Sequence, residues 1–310
     1  MSELRTSTAL PVDEIQGTMD RLFLEGKQFP ERSMQALAAL LNALRSNNSR
    51  NAWETIAKSV IQPHAICLLT RRALLANRAF YKPRGYAGDA VMIDLIYDQT
   101  QTDPSDEWLC KLDEWMYQTQ PCKAVRSRRK ATALAIDGLT PESPRILSFA
   151  CGHLREASDS VRVANRDFSE FVAVDQDTES LAKVDRDFGR SGILPRWGTV
   201  GQAIRETETF GRFDFIYATG LYDYLTRDTA EALTAAFCRM LSPGGKVMLV
   251  NFAPTLSDIG WMEGVMDWWL IYRSPEEMEH LAPRDDPTLK SSAALDDLNA
   301  LAYLTVMKSP

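Results

Sequence analysis

The chain changes texture once, near Pro144, and that change constrains its fold more than any other feature. After it, short β-rich runs at 145–150, 171–175, 213–218 and 246–252 alternate with amphipathic helical stretches. Strands spaced by helical pattern cannot close as hairpins. They pair in parallel through crossovers, giving a sheet covered by helices on both faces. The end of the chain differs, because Asp296-Asp297-Leu298-Asn299 separates two strand-like segments, the last over 301–308, which predicts an antiparallel hairpin finishing the sheet. Before Pro144 no run reads as a strand. Apolar residues recur at helical spacing in Met34, Leu37, Leu40, Leu41 and Leu44, and again from Trp53 to Leu74. Glycine and proline interrupt this pattern once, at 81–89. The expected architecture is an all-helical region over 1–140, acting as a lid and substrate-recognition element, and a doubly wound α/β domain over 141–310.

Composition removes several function classes. Hydrophobic residues make up 45% of the 310 and charged residues 25%, as in soluble globular chains, so extended coiled coils and disordered chains are excluded. The net charge is -7 and the only dense basic run is Arg126 to Lys130, which argues against binding nucleic acid. Five cysteines without CxxC spacing and three histidines predict neither a disulfide framework nor a metal site. No apolar run is long enough to span a bilayer, and the start MSELRTSTALPVDEIQ lacks a signal-peptide pattern, so a cytoplasmic protein is expected. Oligomeric state is not legible.

The chemistry concentrates where strands end. The first β-run opens into Ala150-Cys151-Gly152-His153-Leu154-Arg155-Glu156, a small-residue turn that lets a ligand approach the backbone. The second ends in Asp175, about 20 residues further on, where a doubly wound nucleotide site carries its ribose-binding acid. Asp175 reads either as that acid or as a helix cap. Cys151 reads as a small buried residue. The segment 260–273 holds Trp261, Trp268 and Trp269 with Tyr272, either a core stripe or an aromatic wall. Glu263 and Asp267 lie four apart on that expected helix, facing either solvent or a pocket. The glycine-flanked loop with Arg84, Tyr86 and Asp89 reads as a connector or a lid.

Residues 144 to 310 resemble the class I S-adenosylmethionine-dependent methyltransferases, a Rossmann-like family. The resemblance rests on a degenerate first motif, Asp175 as the second, Phe213-Asp214-Phe215-Ile216-Tyr217 as the fourth strand, and Leu241-Ser242-Pro243-Gly244-Gly245-Lys246 before the fifth. The first motif departs from the family pattern of an acid and three glycines, carrying Ser148, Ala150, Gly152 and Leu154 instead. A closer resemblance is to a bacterial subgroup that includes enzymes methylating the carboxyl group of 3-hydroxy fatty acids. It rests on Lys82-Pro83-Arg84-Gly85-Tyr86-Ala87-Gly88-Asp89, on Ala150-Cys151-Gly152 followed by Arg155-Glu156, on Gly220 to Leu225, and on Trp268 to Arg273.

The resemblance implies S-adenosyl-L-methionine as cofactor. Its expected contacts are Ala150, Cys151, Gly152, Arg155 and Glu156 after the first strand, Asp175 and Gln176 after the second, Thr199 and Val200 flanking the adenine, and Thr219 after the fourth. His153 is a candidate general base or a loop histidine bonded to backbone. Tyr86 is expected to cover the reacting end, and Arg84 and Trp268 to bind the substrate. A small-molecule acceptor is expected against Tyr222, Trp268 and Arg273, with the Arg273 fork on a carboxylate, unless Arg273 is a solvated helix-terminal charge. The implied activity is methyl transfer to a carboxylate or hydroxyl. Two alternatives stay open: cyclisation of the cofactor's aminocarboxypropyl arm with release of methylthioadenosine, and a cofactor-sensing binding module.

Overall fold

The computed structural model describes residues 10–310, so the leader-free reading of the start lies in part outside the described residues. The chain divides into two compact units. A helical unit holds the residues up to Lys123 together with Ser257–Trp269, and a sheet unit holds Ala124–Leu256 and Leu270–Pro310. The boundary thus lies earlier than the expected 140. It falls inside one continuous helix, Gln120–Asp137, whose Ile136 packs in the core of the sheet unit.

The helical unit opens with α1 (Val12–Gly26) and α2 (Pro30–Asn47), followed by α3 (Arg50–Ile56), which runs into a π-helical turn over Ala57–Ile61. Then come α4 (Ala65–Thr70), α5 (Leu74–Tyr81), α6 (Ala90–Asp98) and α7 (Glu107–Tyr117), and the boundary helix Gln120–Asp137 is α8. The predicted stripe of α2 is the core face: Met34, Leu37, Leu41 and Leu44 are buried, and Leu40 is half-buried. Helix starts are marked by side chains that satisfy free amide N–H groups. Ser49, Asp89 and Asp106 accept from the amides of Ala52, Met92 and Leu109. The loop at 82–89 is present, entered through Lys82 in the left-handed region at the end of α5.

In the sheet unit, β1 (Arg145–Phe149), β2 (Glu170–Asp175), β3 (Ile193–Trp197), β4 (Phe213–Ala218) and β5 (Leu241–Phe252) are parallel, with β6 (Leu289–Leu295) and β7 (Leu301–Lys308) antiparallel at one edge. The order is β3-β2-β1-β4-β5-β7-β6. Crossovers carry α9 (Val161–Asn165), α10 (Thr178–Phe188), α11 (Val200–Arg205), α12 (Thr207–Phe210) and α13 (Arg227–Arg239). Strand residues alternate between two cores: Leu147, Phe149, Val174 and Ile216 serve one face, and Ile146, Phe171, Ala173, Phe215 and Tyr217 the other. Strand β5 begins earlier than expected because a register shift opposite Phe213–Phe215 absorbs Pro243-Gly244-Gly245. A Cβ on Gly245 would stand 2.9 Å from the Ser242 carbonyl and 3.0 Å from that of Phe213, so only glycine fits this shift.

After β5 the chain leaves the sheet unit and forms α14 (Ile259–Gly264), then returns to α15 (Pro275–Glu279). Within the helical unit α14 lies directly on α2. A Cβ on Gly260 would meet the Leu41 backbone at 2.5 Å, and the Gly260 amide donates to Asn42 Oδ1 at 2.8 Å. The long helix expected over the tryptophan-rich segment is therefore one short helix ending at Gly264, and Asp267 sits in the left-handed region beyond it. Among the described residues no helix is long and apolar enough to cross a membrane.

Candidate active site

Strands β2 and β4 flank β1, and the chain winds outward in opposite directions from that point. The crevice beyond the carboxyl ends of such strands is where ligands of doubly wound sheets bind. The turn after β1 is shaped for close approach. Ala150, Gly152 and Leu154 all take positive φ, at 55°, 52° and 51°. Ala150 and Leu154 stand where a left-handed backbone costs an L-residue about a kcal/mol or more, and that strain is held in place by the surrounding bonds.

Those bonds centre on Asp175. Its Oδ2 accepts from the Gly152 amide at 2.8 Å and its Oδ1 from the Asp177 amide at 2.9 Å, while the Cys151 amide donates to the Val174 carbonyl at 3.0 Å. One carboxylate thus locks the turn after β1 to the turn after β2. Burial raises the Asp175 carboxyl, against the lowering by the amides of Asp177 and Gly152. Each oxygen keeps a second lone-pair direction, so the group can still accept a ligand hydroxyl. The helix-cap reading of Asp175 gives way, because Asp177 caps α10.

Beneath the turn lies a second network. The Tyr217 hydroxyl donates to Glu156 Oε1 at 2.8 Å, and burial lifts both groups above their ordinary ranges. Burial also holds the Cys151 thiol well above its usual value, so it stays protonated. On the β4 side, Asp223 Oδ1 accepts from the Phe252 amide at 2.7 Å, and burial pushes its carboxyl up to about 6. His153 is buried in the β1 turn, Arg155 is half-buried, and Thr219 is half-buried just past β4. At the β2–β3 side, Gln176 is exposed and its carbonyl accepts from Trp197 Nε1 at 3.2 Å. Thr199 caps α11 through a capping box with Gln202, which fixes Val200 in the first turn.

Two expected pocket residues have other duties. Tyr222 is fully buried in the core of the sheet unit and its hydroxyl bonds Thr234 at 2.9 Å, so it forms no pocket wall. Arg273 is buried, and its fork already donates to the Tyr222 carbonyl (2.7 Å), Asn251 Oδ1 (2.8 Å) and the Leu225 carbonyl (2.5 Å). It ties the segment after β4 to the end of β5 through three of its five donors, and its burial rules out a solvated charge.

Arg84 and Tyr86, both half-buried, and the buried Trp268 belong to the helical unit. There Glu263 accepts from Arg45 Nε (2.8 Å) and Trp53 Nε1 (2.7 Å). Asp267 takes Lys82, Gln62 and Trp269. Both acids are thus paired with donors inside the helical unit. Sequence reasoning missed Tyr217, Asp223 and Arg128. Tyr217 and Asp223 each lay within a quoted motif without being singled out, and Arg128 lay within the basic run on α8, where nothing local shows that it turns inward. Among the described residues no cluster of histidine, cysteine and acidic side chains could hold a metal ion.

No family model and no curated protein matches this chain. Solved structures do. A possible exported protein from Bordetella parapertussis superposes with a TM-score of 0.59 at 14% identity, covering 86% of this chain and 98% of that one. Magnesium protoporphyrin IX methyltransferase from Synechocystis PCC 6803, with bound S-adenosylhomocysteine, gives 0.45 at 8% identity over 61% of this chain and 87% of its own. The N-methyltransferase NodS of Bradyrhizobium japonicum WM9 gives 0.42 at 12% identity over 60% and 88%. At these identities the likeness to the Bordetella protein is one of fold: a doubly wound, mostly parallel sheet with an antiparallel edge, accompanied by helices.

Proposed function

We propose that this chain is an S-adenosylmethionine-dependent methyltransferase acting on a small molecule, with a carboxylate or hydroxyl as acceptor. The observation that carries the reading is the Asp175 lock. A buried carboxylate at the end of β2 fixes a strained small-residue turn after β1, at the point where the sheet reverses its winding. That arrangement fits the cofactor, since the Asp175 oxygens retain acceptor capacity for two ribose hydroxyls and Ala150 to Gly152 leave the backbone open to close approach. Thr199 and Val200, at the start of α11, are assigned to the adenine, and His153, Arg155 and Thr219 to the end nearer the reacting centre. When bound, the cofactor supplies an electrophilic methyl group on a cationic sulfur.

The chain's own contribution is orientation and exclusion of water, which in favourable cases lowers a barrier by about 7–11 kcal/mol. Cys151 stays protonated and makes no competing nucleophile. A carboxylate acceptor needs no base at neutral pH, whereas a hydroxyl acceptor assigns proton removal to His153. The helical unit, with Arg84, Tyr86 and Trp268, is assigned to acceptor selection.

Mass spectrometry of S-adenosylmethionine incubated with the protein, with and without cell extract, tests the reading. Adenosylhomocysteine as product supports methyl transfer, methylthioadenosine supports cyclisation, and neither supports a sensor. Calorimetry of adenosylhomocysteine binding adds a residue-level check. Asp175→Ala is expected to weaken it by about 1.5–3 kcal/mol, and unchanged affinity in a folded variant removes Asp175 from the site.

A further inference from the structure

Helix α8 sends one arginine into the sheet unit where no salt bridge explains it. Arg128 is only 6% exposed, and its Nε is buried without a hydrogen-bond partner. A buried guanidinium left short of partners costs several kcal/mol unless something else completes it. Nε itself is too enclosed for a ligand to reach, so any further partner meets the terminal nitrogens. The terminal nitrogens run along Gly220, in the segment after β4, which has no side chain to cover them: a Cβ there would stand 3.7 Å from Nη2. The two acids that feel its charge, Glu156 after β1 and Asp223 after β4, each already accept from another donor, Tyr217 and the Phe252 amide. Arg128 therefore stands between the turns of the two strands that bound the switch point, opposite the β2 side where Asp175 sits.

We propose that Arg128 is the receptor for a ligand carboxylate at this switch point. The guanidinium fork matches a carboxylate in two parallel bonds, and a dry site makes such a pair strong. The inference rests on the cofactor reading above, under which the amino-acid end of the cofactor extends from the β2 side across β1 toward β4. That end is one source of the carboxylate, and the acceptor is the other.

The test uses the full chain and three probes in calorimetry: S-adenosylhomocysteine, which carries the carboxylate; methylthioadenosine, which lacks the whole amino-acid arm; and decanoate added to adenosylhomocysteine-saturated protein. In Arg128→Gln, adenosylhomocysteine is expected to weaken roughly ten- to hundredfold while methylthioadenosine stays within about twofold, which also certifies the fold. Arg128→Lys, keeping the charge without the fork, is expected to fall between. If adenosylhomocysteine is unaffected and decanoate binding weakens instead, the carboxylate is the acceptor's. Equal losses for both nucleosides, or no loss for any probe, overturn the proposal. Wild-type protein that binds neither nucleoside overturns the cofactor reading itself.

Discussion

Both units bury carboxylates, but they hold them differently. In the helical unit, Asp89 is gripped by both arms of Arg78 at 2.7 Å, and Glu263 by Arg45 and Trp53. Asp113 clamps the amide and hydroxyl of Thr102. In the sheet unit, Asp175, Glu156 and Asp223 are held by backbone amides and a phenol, while the nearby cation Arg128 has a buried, unsatisfied Nε. Of the three helical-unit acids, Asp89 and Glu263 are closed by a cation, and Asp113 is the exception. Acids and a cation buried near one another without a direct pair are the arrangement on which the proposed carboxylate receptor at Arg128 rests.

The largest expected effect comes from breaking a closed pair. Glu263→Ala removes the acceptor of a buried indole N–H and the counterion of Arg45, and about 3 kcal/mol of unfolding free energy should be lost in a guanidinium titration. Adenosylhomocysteine affinity of the folded variant should not move. The reverse pattern, stable protein with lost affinity, would transfer Glu263 to the ligand site and erase the contrast between the units.

A pH-dependent effect sharpens the contrast from the other side. Asp223 titrates at about 6 in the fold against an ordinary value of 3.8, because burial disfavours its charged form. Between those values the folded chain binds more protons than the unfolded one. Its stabilising contribution is thus fullest below the unfolded value and is lost as pH rises through about 6. At roughly 1.4 kcal/mol per pKa unit, the swing is on the order of a few kcal/mol. Asp223→Asn keeps an acceptor for the Phe252 amide and removes the titration. Wild type should therefore lose ground to the variant between pH 5 and pH 7.5 in thermal melts. Parallel pH profiles would show that Asp223 is solvated and not part of a dry crevice.

The layout of the sheet was legible because burial on both faces writes itself into strand composition and helical spacing. That Asp175 ends a strand was legible because such a place is local. Arg128 was not, since a basic run on a helix reads the same whether its members face solvent or turn inward. Tyr222 and Arg273 misled for a related reason. Their neighbours in sequence lie at the carboxyl edge of the sheet, but a side chain there can point into the core or spend itself on carbonyls, and only the tertiary fold decides. The tryptophan-rich segment read as a continuous helix because its apolar spacing is helical. The left-handed residue at Asp267 and the close approach at Gly260 depend on packing that periodicity does not encode.

The smallest expected effect concerns Tyr222. Thr234 spends its one hydroxyl proton on the Ala230 carbonyl at 2.7 Å, so in the 2.9 Å contact with Tyr222 the phenol is the donor. Burial holds that phenol far above its ordinary range, so it stays protonated and makes no base. Tyr222→Phe removes one donor, while Thr234 keeps its proton satisfied and loses only a contact to one lone pair. No buried N–H or O–H is orphaned and the ring volume is unchanged, which puts the cost at about 0.5–1.5 kcal/mol of unfolding free energy. Adenosylhomocysteine affinity and product formation from S-adenosylmethionine should match wild type. A tenfold fall in turnover at unchanged stability would return the Tyr222 hydroxyl to the reacting centre and show that a side chain packed in the core of the sheet unit reaches the chemistry after all.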